Sequence, residues 1–307
     1  MATNSTLNIR KIDLSNINEE ITFSDAIRNK KTNAVSVNIL YRGQKTLFRL
    51  PKLAFPGGAI IKSVDSGATT YTMIASLTDC DKYGNEPGDN ETDSGYTYNF
   101  FRGLEQRVLD AAFENSARWF GKKRSMESLK ETFKNIVSFS VDKTPGGEYV
   151  MNGKYDPSVR FKINVWDGQV KTEAMDGESN PLELTVDNLG QMFPKRCSAK
   201  LVIIPTIYVA GLSFGVTLKI DSAQVYHQHR STIQDKFRDD DDDHEVVQTK
   251  KYVTPVASEE DEDEVAELVK QYEELHPPAA APAPEPTPAP TPAPASGGAG
   301  GRRRVKQ

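Results

Sequence analysis

The sequence predicts an α+β, mainly β body whose strands can close into a small barrel, followed by a disordered acidic and proline-rich tail. Three observations carry this. At least seven segments alternate apolar and polar residues with period two, only a few segments between them have helical spacing, and composition changes abruptly near Asp239. The 307 residues include only 37% hydrophobic side chains, low for a chain folded throughout. Net charge is −5, but residues 1–238 hold 31 basic and 27 acidic side chains against 7 and 16 in residues 239–307. A body of about +4 is joined to a tail of about −9. We read 1–238 as a folded body and 239–307 as a disordered tail.

The body opens with a short strand, LNIRKID, and a short helix in TFSDAIRNK with Thr22 or Ser24 as N-cap. NAVSVNILYRGQKTLFRLPK reads as a hairpin with Gly43-Gln44 at the turn, which sets Arg42 opposite Lys45 and Asn38 opposite Arg49. ATTYTMIASL is a strand and Asp79–Gly95 a polar loop. One long helix follows, from Tyr96 to a C-terminal Gly121, with Phe101, Leu104, Val108, Ala112 and Trp119 on its apolar face and Phe113 and Phe120 widening it. A second starts near Ser125 and carries Leu129, Phe133, Ile136 and Val137. A short helix is expected around LTVDNLGQMF.

VRFKINVWDGQVK, from Val159 to Lys171, is the most informative stretch. On a strand Phe161, Ile163 and Val165 share one face, while Arg160, Lys162, Asn164 and Trp166 share the other. Asp167-Gly168 suits a two-residue turn, which sets Trp166 opposite Gln169 and Asn164 opposite Lys171. The uncharged stretch Leu201–Leu218 just reaches the length of a membrane span. Its β-branched residues, Pro205 and the Ala210-Gly211 break suit two buried strands better.

The tail runs through Asp239–Asp243, SEEDEDE, an Ala-Pro-Thr stretch and a closing RRRVK, a composition that cannot offset chain entropy by burial. Within it a helix at about 264–276 places Val265, Leu268, Val269, Tyr272 and Leu275 on one stripe, a candidate docking element for a partner.

Enzyme motifs are absent: there is no phosphate-binding G-x-x-x-x-G-K-[ST] loop, G-x-S-x-G, H-E-x-x-H or paired C-x-x-C. His227 and His229 lack nearby partners of metal-ligand type. DCDKYG begins like a calcium loop but puts Tyr83 and Asn90 where oxygen ligands belong. The chain is therefore read as a non-enzyme that needs no cofactor or metal. Cys80 and Cys197 and the start of the chain suggest a reducing intracellular compartment.

What remains is cationic and aromatic. Phosphates attract Lys and Arg irrespective of base, and unpaired bases stack on aromatic rings. Candidate contacts are Arg42, Lys45 and Arg49 on one hairpin, Lys122-Lys123-Arg124 between helices, and Arg160, Lys162, Trp166 and Lys171 on the other hairpin. Tyr41, Phe48 and Tyr208 are further stacking candidates. The plainer alternative is a solvated basic face with Trp166 buried under a loop. An acidic tail on a basic body can compete with nucleic acid for the same surface, or merely confer solubility.

RWFGKKRSMESLKETFKNIVSF, YDPSVRFKINVWDG and IYVAGLSFGVTLKIDSAQVY together resemble the single-stranded-DNA-binding protein family of nucleocytoplasmic large DNA viruses, of phycodnavirus, iridovirus and asfarvirus type. The resemblance spans about residues 33–228. It implies an OB-like barrel core elaborated with helices, which binds single-stranded DNA in viral DNA replication or repair at a nuclear or cytoplasmic replication site. It implies no catalytic residues. The partners expected are single-stranded DNA or RNA, replication proteins through the tail, and further copies of the chain, with no membrane. The competing expectation is a structural or scaffold protein of a virion or transcription complex.

Overall fold

The computed structural model describes residues 5–30, 32–63 and 69–227. The acidic tail, His229 and the predicted docking helix with Val265, Leu268, Val269 and Tyr272 lie outside these residues. The principal elements are β1 (Val35–Tyr41), β2 (Gln44–Phe55), β3 (Ala59–Ser63), β4 (Thr69–Ser76), helix α1 (Asp93–Glu114), helix α2 (Met126–Thr132), β5 (Ser158–Ile163), β6 (Val165–Trp166), β7 (Gln169–Val170), β8 (Cys197–Ala210) and β9 (Ser213–Tyr226). The body is thus mainly β with a few helices.

Five of these strands pair in a closed circuit. β2 pairs antiparallel with β4 at Ala54↔Ser76, and β4 pairs antiparallel with β5. β5 pairs parallel with β9 at Lys162↔Lys219 and Ile163↔Ile220. β9 runs antiparallel to β8 from Ser213↔Ala210 to Tyr226↔Ser198, and β8 returns antiparallel to β2. Alternation sorts most side chains, with breaks where β2 and β4 bury consecutive residues and the ladders shift register. Phe48, Leu50, Leu53 and Phe55 of β2, Met73 of β4, and Val159, Phe161 and Ile163 of β5 are buried inside, as are Leu201 and Ile203 of β8 and Ile220 and Val225 of β9.

Helix α1 packs against this interior. The ring centres of Phe100 and Phe48 lie 6.0 Å apart, and Phe161 sits 6.2 Å from both Phe101 of α1 and Phe55 of β2. Full burial of each such ring contributes about 1.5–3 kcal/mol. Thr92 caps α1 by accepting the Gly95 N–H, and Glu105 projects from the helix into the core. Its Oε1 accepts the N–H groups of Ile136 (2.6 Å) and Val137 (2.8 Å), while Oε2 accepts from Arg102 (2.8 Å). This carboxylate therefore fastens α1 to the segment that pairs with β5 at Val137↔Val159.

Several local expectations are corrected. No helix forms in TFSDAIRNK: residues 21–23 and 27–28 are strands paired with β1, and Ser24 spends its groups on the sheet, its N–H donating to the Asn38 carbonyl and its Oγ accepting the Asn38 N–H. The β1–β2 turn is centred on Arg42-Gly43, both with positive φ (48° and 77°), so Lys45 faces Leu40 and Tyr41 faces Gln44. Arg42 adopts this left-handed conformation under three ties to its neighbours. Its N–H donates to the Glu20 carbonyl, its guanidinium pairs with the Glu20 carboxylate, and it lies over Tyr41. Asn38 faces Thr206 of β8 instead of Arg49.

The long helix breaks at Asn115 before a short turn of helix, Ser116–Phe120, and Phe113 is exposed. Gly121, with φ 76°, ends that turn in the left-handed region. α2 stops at Thr132, so Phe133, Ile136 and Val137 reach the core from extended backbone. Leu201–Leu218 forms most of β8 and the start of β9, and no helix among the described residues is long and apolar enough to cross a membrane. Both cysteines are free and buried, and burial pushes the thiols up to about 11 (Cys80) and about 12 (Cys197).

Desolvation raises the Glu105 carboxyl above its ordinary value of 4.5, against the two N–H donors and Arg102. A group that holds its proton more tightly folded than unfolded adds stability at low pH and loses it as pH rises through the folded value. Denaturant unfolding should show Glu105→Gln costing less than Glu105→Leu, which strands two buried N–H groups at about 1–3 kcal/mol each. The stability difference, wild type minus Glu105→Gln, should grow in favour of wild type as pH falls toward 4.5 and level off below it.

Candidate nucleic-acid interface

The outward residues of the circuit are dominated by one sign of charge. Its five strands contain seven cations, Lys45, Arg49, Lys52, Arg160, Lys162, Lys200 and Lys219, and one carboxylate, Asp221. Asp221 is the extra residue where the β8–β9 register shifts, between Ile220 opposite Ile203 and Ser222 opposite Val202. Among the described residues outside the circuit, Asp142, Glu173 and Asp176 lie on strands and the other acidic side chains on loops and helices.

β5 builds the centre of this surface. Phe161 and Ile163 point inward and are fully buried, so period two turns Arg160 and Lys162 outward. Arg160 stands opposite Ile74 and Lys162 opposite Thr72 on β4. Ile74 and Thr72 are themselves nearly closed off, which leaves Lys162 as the solvent-facing cation of this strand pair, while Arg160 is half-buried with its Nε shut off from solvent. On the other side Lys162 meets Lys219 across the parallel β5–β9 pairing. Lys162 is exposed, yet loss of solvent around its ammonium, and secondly the Lys219 charge, hold its pKa below the ordinary 10.5.

The strand does not continue unbroken to Trp166. It stops at Asn164, whose N–H donates to Thr172 Oγ1 (3.0 Å) while its carbonyl accepts the Lys171 N–H (2.7 Å). Thr172 in turn donates to the Ile220 carbonyl, anchoring the hairpin to β9. Beyond this clamp β6 and β7 form a separate two-stranded sheet. Its turn, Asp167-Gly168, has φ of 50° and 70°, and Trp166 faces Gln169 as the turn chemistry predicts. Trp166 is 75% exposed, so it is not under a loop. Lys171 is also exposed and donates from Nζ to Gln169 Oε1.

The other predicted residues divide. Arg49 is exposed on β2 opposite Val202 of β8, within the circuit. Arg42 and Lys45 sit at the β1–β2 turn, with Arg42 paired to Glu20. Lys122 and Lys123 are exposed after Gly121. Arg124 is held in structural bonds: it lies over Phe120 and donates to the Leu212 and Ser128 carbonyls and to the Ser128 and Thr132 hydroxyls. It thereby fastens the Lys122-Lys123 segment to the β8–β9 turn. Phe48 is fully buried and can stack nothing, and Tyr208 and Tyr41 are half-buried. Lys219 escapes sequence reading because only a parallel pairing between residues far apart in the chain brings it to Lys162. Among the described residues no cluster of metal-ligating side chains occurs.

No family profile and no curated protein matches the chain. Among solved structures, the chain is similar to gp2.5, a single-stranded DNA binding protein encoded by bacteriophage T7, with TM-score 0.35 and 10% identity over 66% of this chain and 99% of that one. A single-stranded DNA-binding protein from bacteriophage Enc34 gives 0.33 and 8%, over 70% and 100% of the two chains. Its complex with single-stranded DNA gives 0.32 and 8%, over 67% and 94%. Likeness at this level carries no argument for function, which rests on the chain's own residues.

If Lys162 supplies an anion contact, oligonucleotide binding should weaken as pH rises toward 10, starting below the range of an ordinary lysine, as the ammonium loses its proton. Lys219→Gln removes the neighbouring charge and should move that decline to higher pH. Fluorescence titrations at a series of pH values check both; a decline that persists unchanged in Lys162→Arg, whose guanidinium keeps its charge over this range, excludes Lys162 as its source.

Proposed function

We propose that this protein is a non-enzymatic single-stranded DNA-binding protein. The observation that carries the reading is the cationic face of β5 and its β9 neighbour, where Lys162 and Lys219 are exposed beside each other, in a strand that leads into the clamped hairpin displaying an exposed tryptophan. Cations follow the phosphate backbone with little regard to sequence, and Trp166 offers a face to an unpaired base. Duplex stacking hides base faces, so an exposed indole among cations favours the single strand.

The order of the circuit, with the third and fifth strands parallel and all other neighbours antiparallel, supports an OB-like core. In such barrels the face of the second and third strands and the loops after the first and fourth bind oligonucleotides. Those strands correspond to β4 and β5, which present Arg160 and Lys162. The loop after the fourth is the β8–β9 turn to which Arg124 fastens Lys122 and Lys123. A role in viral DNA replication or repair follows from the resemblance to the large-DNA-virus family. The scaffold alternative draws on the hairpin of Val141–Lys143 and Tyr149–Met151, whose Tyr149, Val150 and Met151 are all exposed, as a protein contact would require.

Titration with oligo-dT at two salt concentrations tests the reading through tryptophan emission. Trp119 is buried, so quenching should report Trp166 and vanish in Trp166→Ala, with affinity reduced by about 1–3 kcal/mol. No quenching at low salt would end the proposal.

We assign the acidic tail a regulatory part, competing with DNA for the cationic surface and recruiting replication proteins through the 264–276 segment. Removal of residues 239–307 should then tighten oligonucleotide binding, most strongly at low salt. Unchanged affinity would mark the tail as a solubility device.

A further inference from the structure

A second cationic site lies on the seam of β2, β8 and β9. Lys52 of β2 and Lys200 of β8 stand directly opposite each other, and Lys200 also faces Gln224 of β9. Both lysines are exposed, and among the described residues neither forms an ion pair. Like charges directly opposite on a sheet repel. Here both ammoniums converge on one ring: Nζ of Lys52 is 4.4 Å and Nζ of Lys200 5.6 Å from the centre of Tyr226. The ring is held in place from two sides. Its hydroxyl donates to Gln224 Oε1 (2.7 Å), and Gly177 packs so closely that a Cβ there would come within 3.0 Å of it. The ring attracts both cations and partly offsets their repulsion, but it supplies no anion.

The seam is continuous with the β5 surface. Lys219 faces Ile204 on β8, four residues from Lys200, which is about 13 Å along an extended strand. Between them Arg49 faces Val202. The order Lys162, Lys219, Arg49, Lys200 and Lys52 is a run of cations along the outside of β9, β8 and β2, ending at Tyr226.

We infer that Lys52 and Lys200, backed by Tyr226, form a second phosphate-binding site, which extends the path of a bound single strand from the β5 surface around the barrel to the β2–β8 seam. The ligand group is a backbone phosphodiester, set between two ammoniums whose repulsion the ring offsets only in part. This inference rests on the single-strand reading above, and the test separates the two.

In the full chain, Lys52→Gln/Lys200→Gln keeps both stems over Tyr226 and removes both charges. Binding is measured against salt with two oligo-dT lengths, about 5 and about 16 nucleotides, near the ends of the range that single barrels of this kind occupy. For the longer oligonucleotide the slope of log affinity against log salt should become shallower by about 1.4, the value for two contacts to a single strand. The shorter should bind the variant as it binds wild type. Lys52→Arg/Lys200→Arg should restore the wild-type slope. The thermal midpoint of the glutamine variant should be unchanged or higher, since a repulsive pair has gone. An unchanged slope for the longer oligonucleotide, with short-oligonucleotide binding intact, overturns the second site alone. Failure of wild type to bind either length overturns the single-strand reading and this inference with it.

Discussion

The structure depends on the burial of Phe161. Its ring is wedged between Phe55 of β2 and Phe101 of α1, so one side chain joins two strands of the circuit to the helix that closes its interior. Because a strand alternates, fixing Phe161 inward fixes Arg160 and Lys162 outward. A slip of one residue would bury two cations and expose the ring. Glu105 reinforces the same register from the helix side by holding Val137, which pairs with Val159. The cationic surface is thus a consequence of core packing on the opposite face of the same strand, and it needs no binding partner to form.

Charge is sorted by depth as well as by face. Among the described residues Glu105 is the one acidic side chain buried in the core, and its oxygens accept from two N–H groups and a guanidinium. The cations of the circuit are instead left outward with few carboxylates among them. Arg42 and Arg124 mark the contrast. Each is in a cation-rich stretch of sequence, yet one is tied to Glu20 and the other to carbonyls and hydroxyls, so their charge or donors serve the fold. Lys162 and Lys219 have no such role: their charges repel across the paired strands, and a bound anion would relieve that repulsion.

Local chemistry made much of this legible. The two-residue period of β5, the positive-φ turn at Asp167-Gly168 and the split of Leu201–Leu218 into two strands all follow from side-chain type over a few residues. Where prediction failed, a distant partner decided. Arg42 enters the left-handed region because Glu20 receives it, so the turn moves by one residue. Ser24 caps no helix because Asn38 takes its groups. Lys219 and Lys200 join the surface only through pairings that depend on how the circuit closes, which no short window contains.

Trp166 is the residue least explained by folding. Trp119, the other tryptophan, shows what packing does with an indole here: it is buried with its ring edge-on to Phe23, 6.0 Å away. Trp166 instead stands three-quarters exposed on a two-stranded sheet that depends on the Asn164, Lys171 and Thr172 bonds for its position. Those bonds hold the hairpin whatever occupies position 166, since they run through backbone and Thr172. The hairpin is therefore a rigid mount, and the indole it displays makes sense as a contact for something outside the fold.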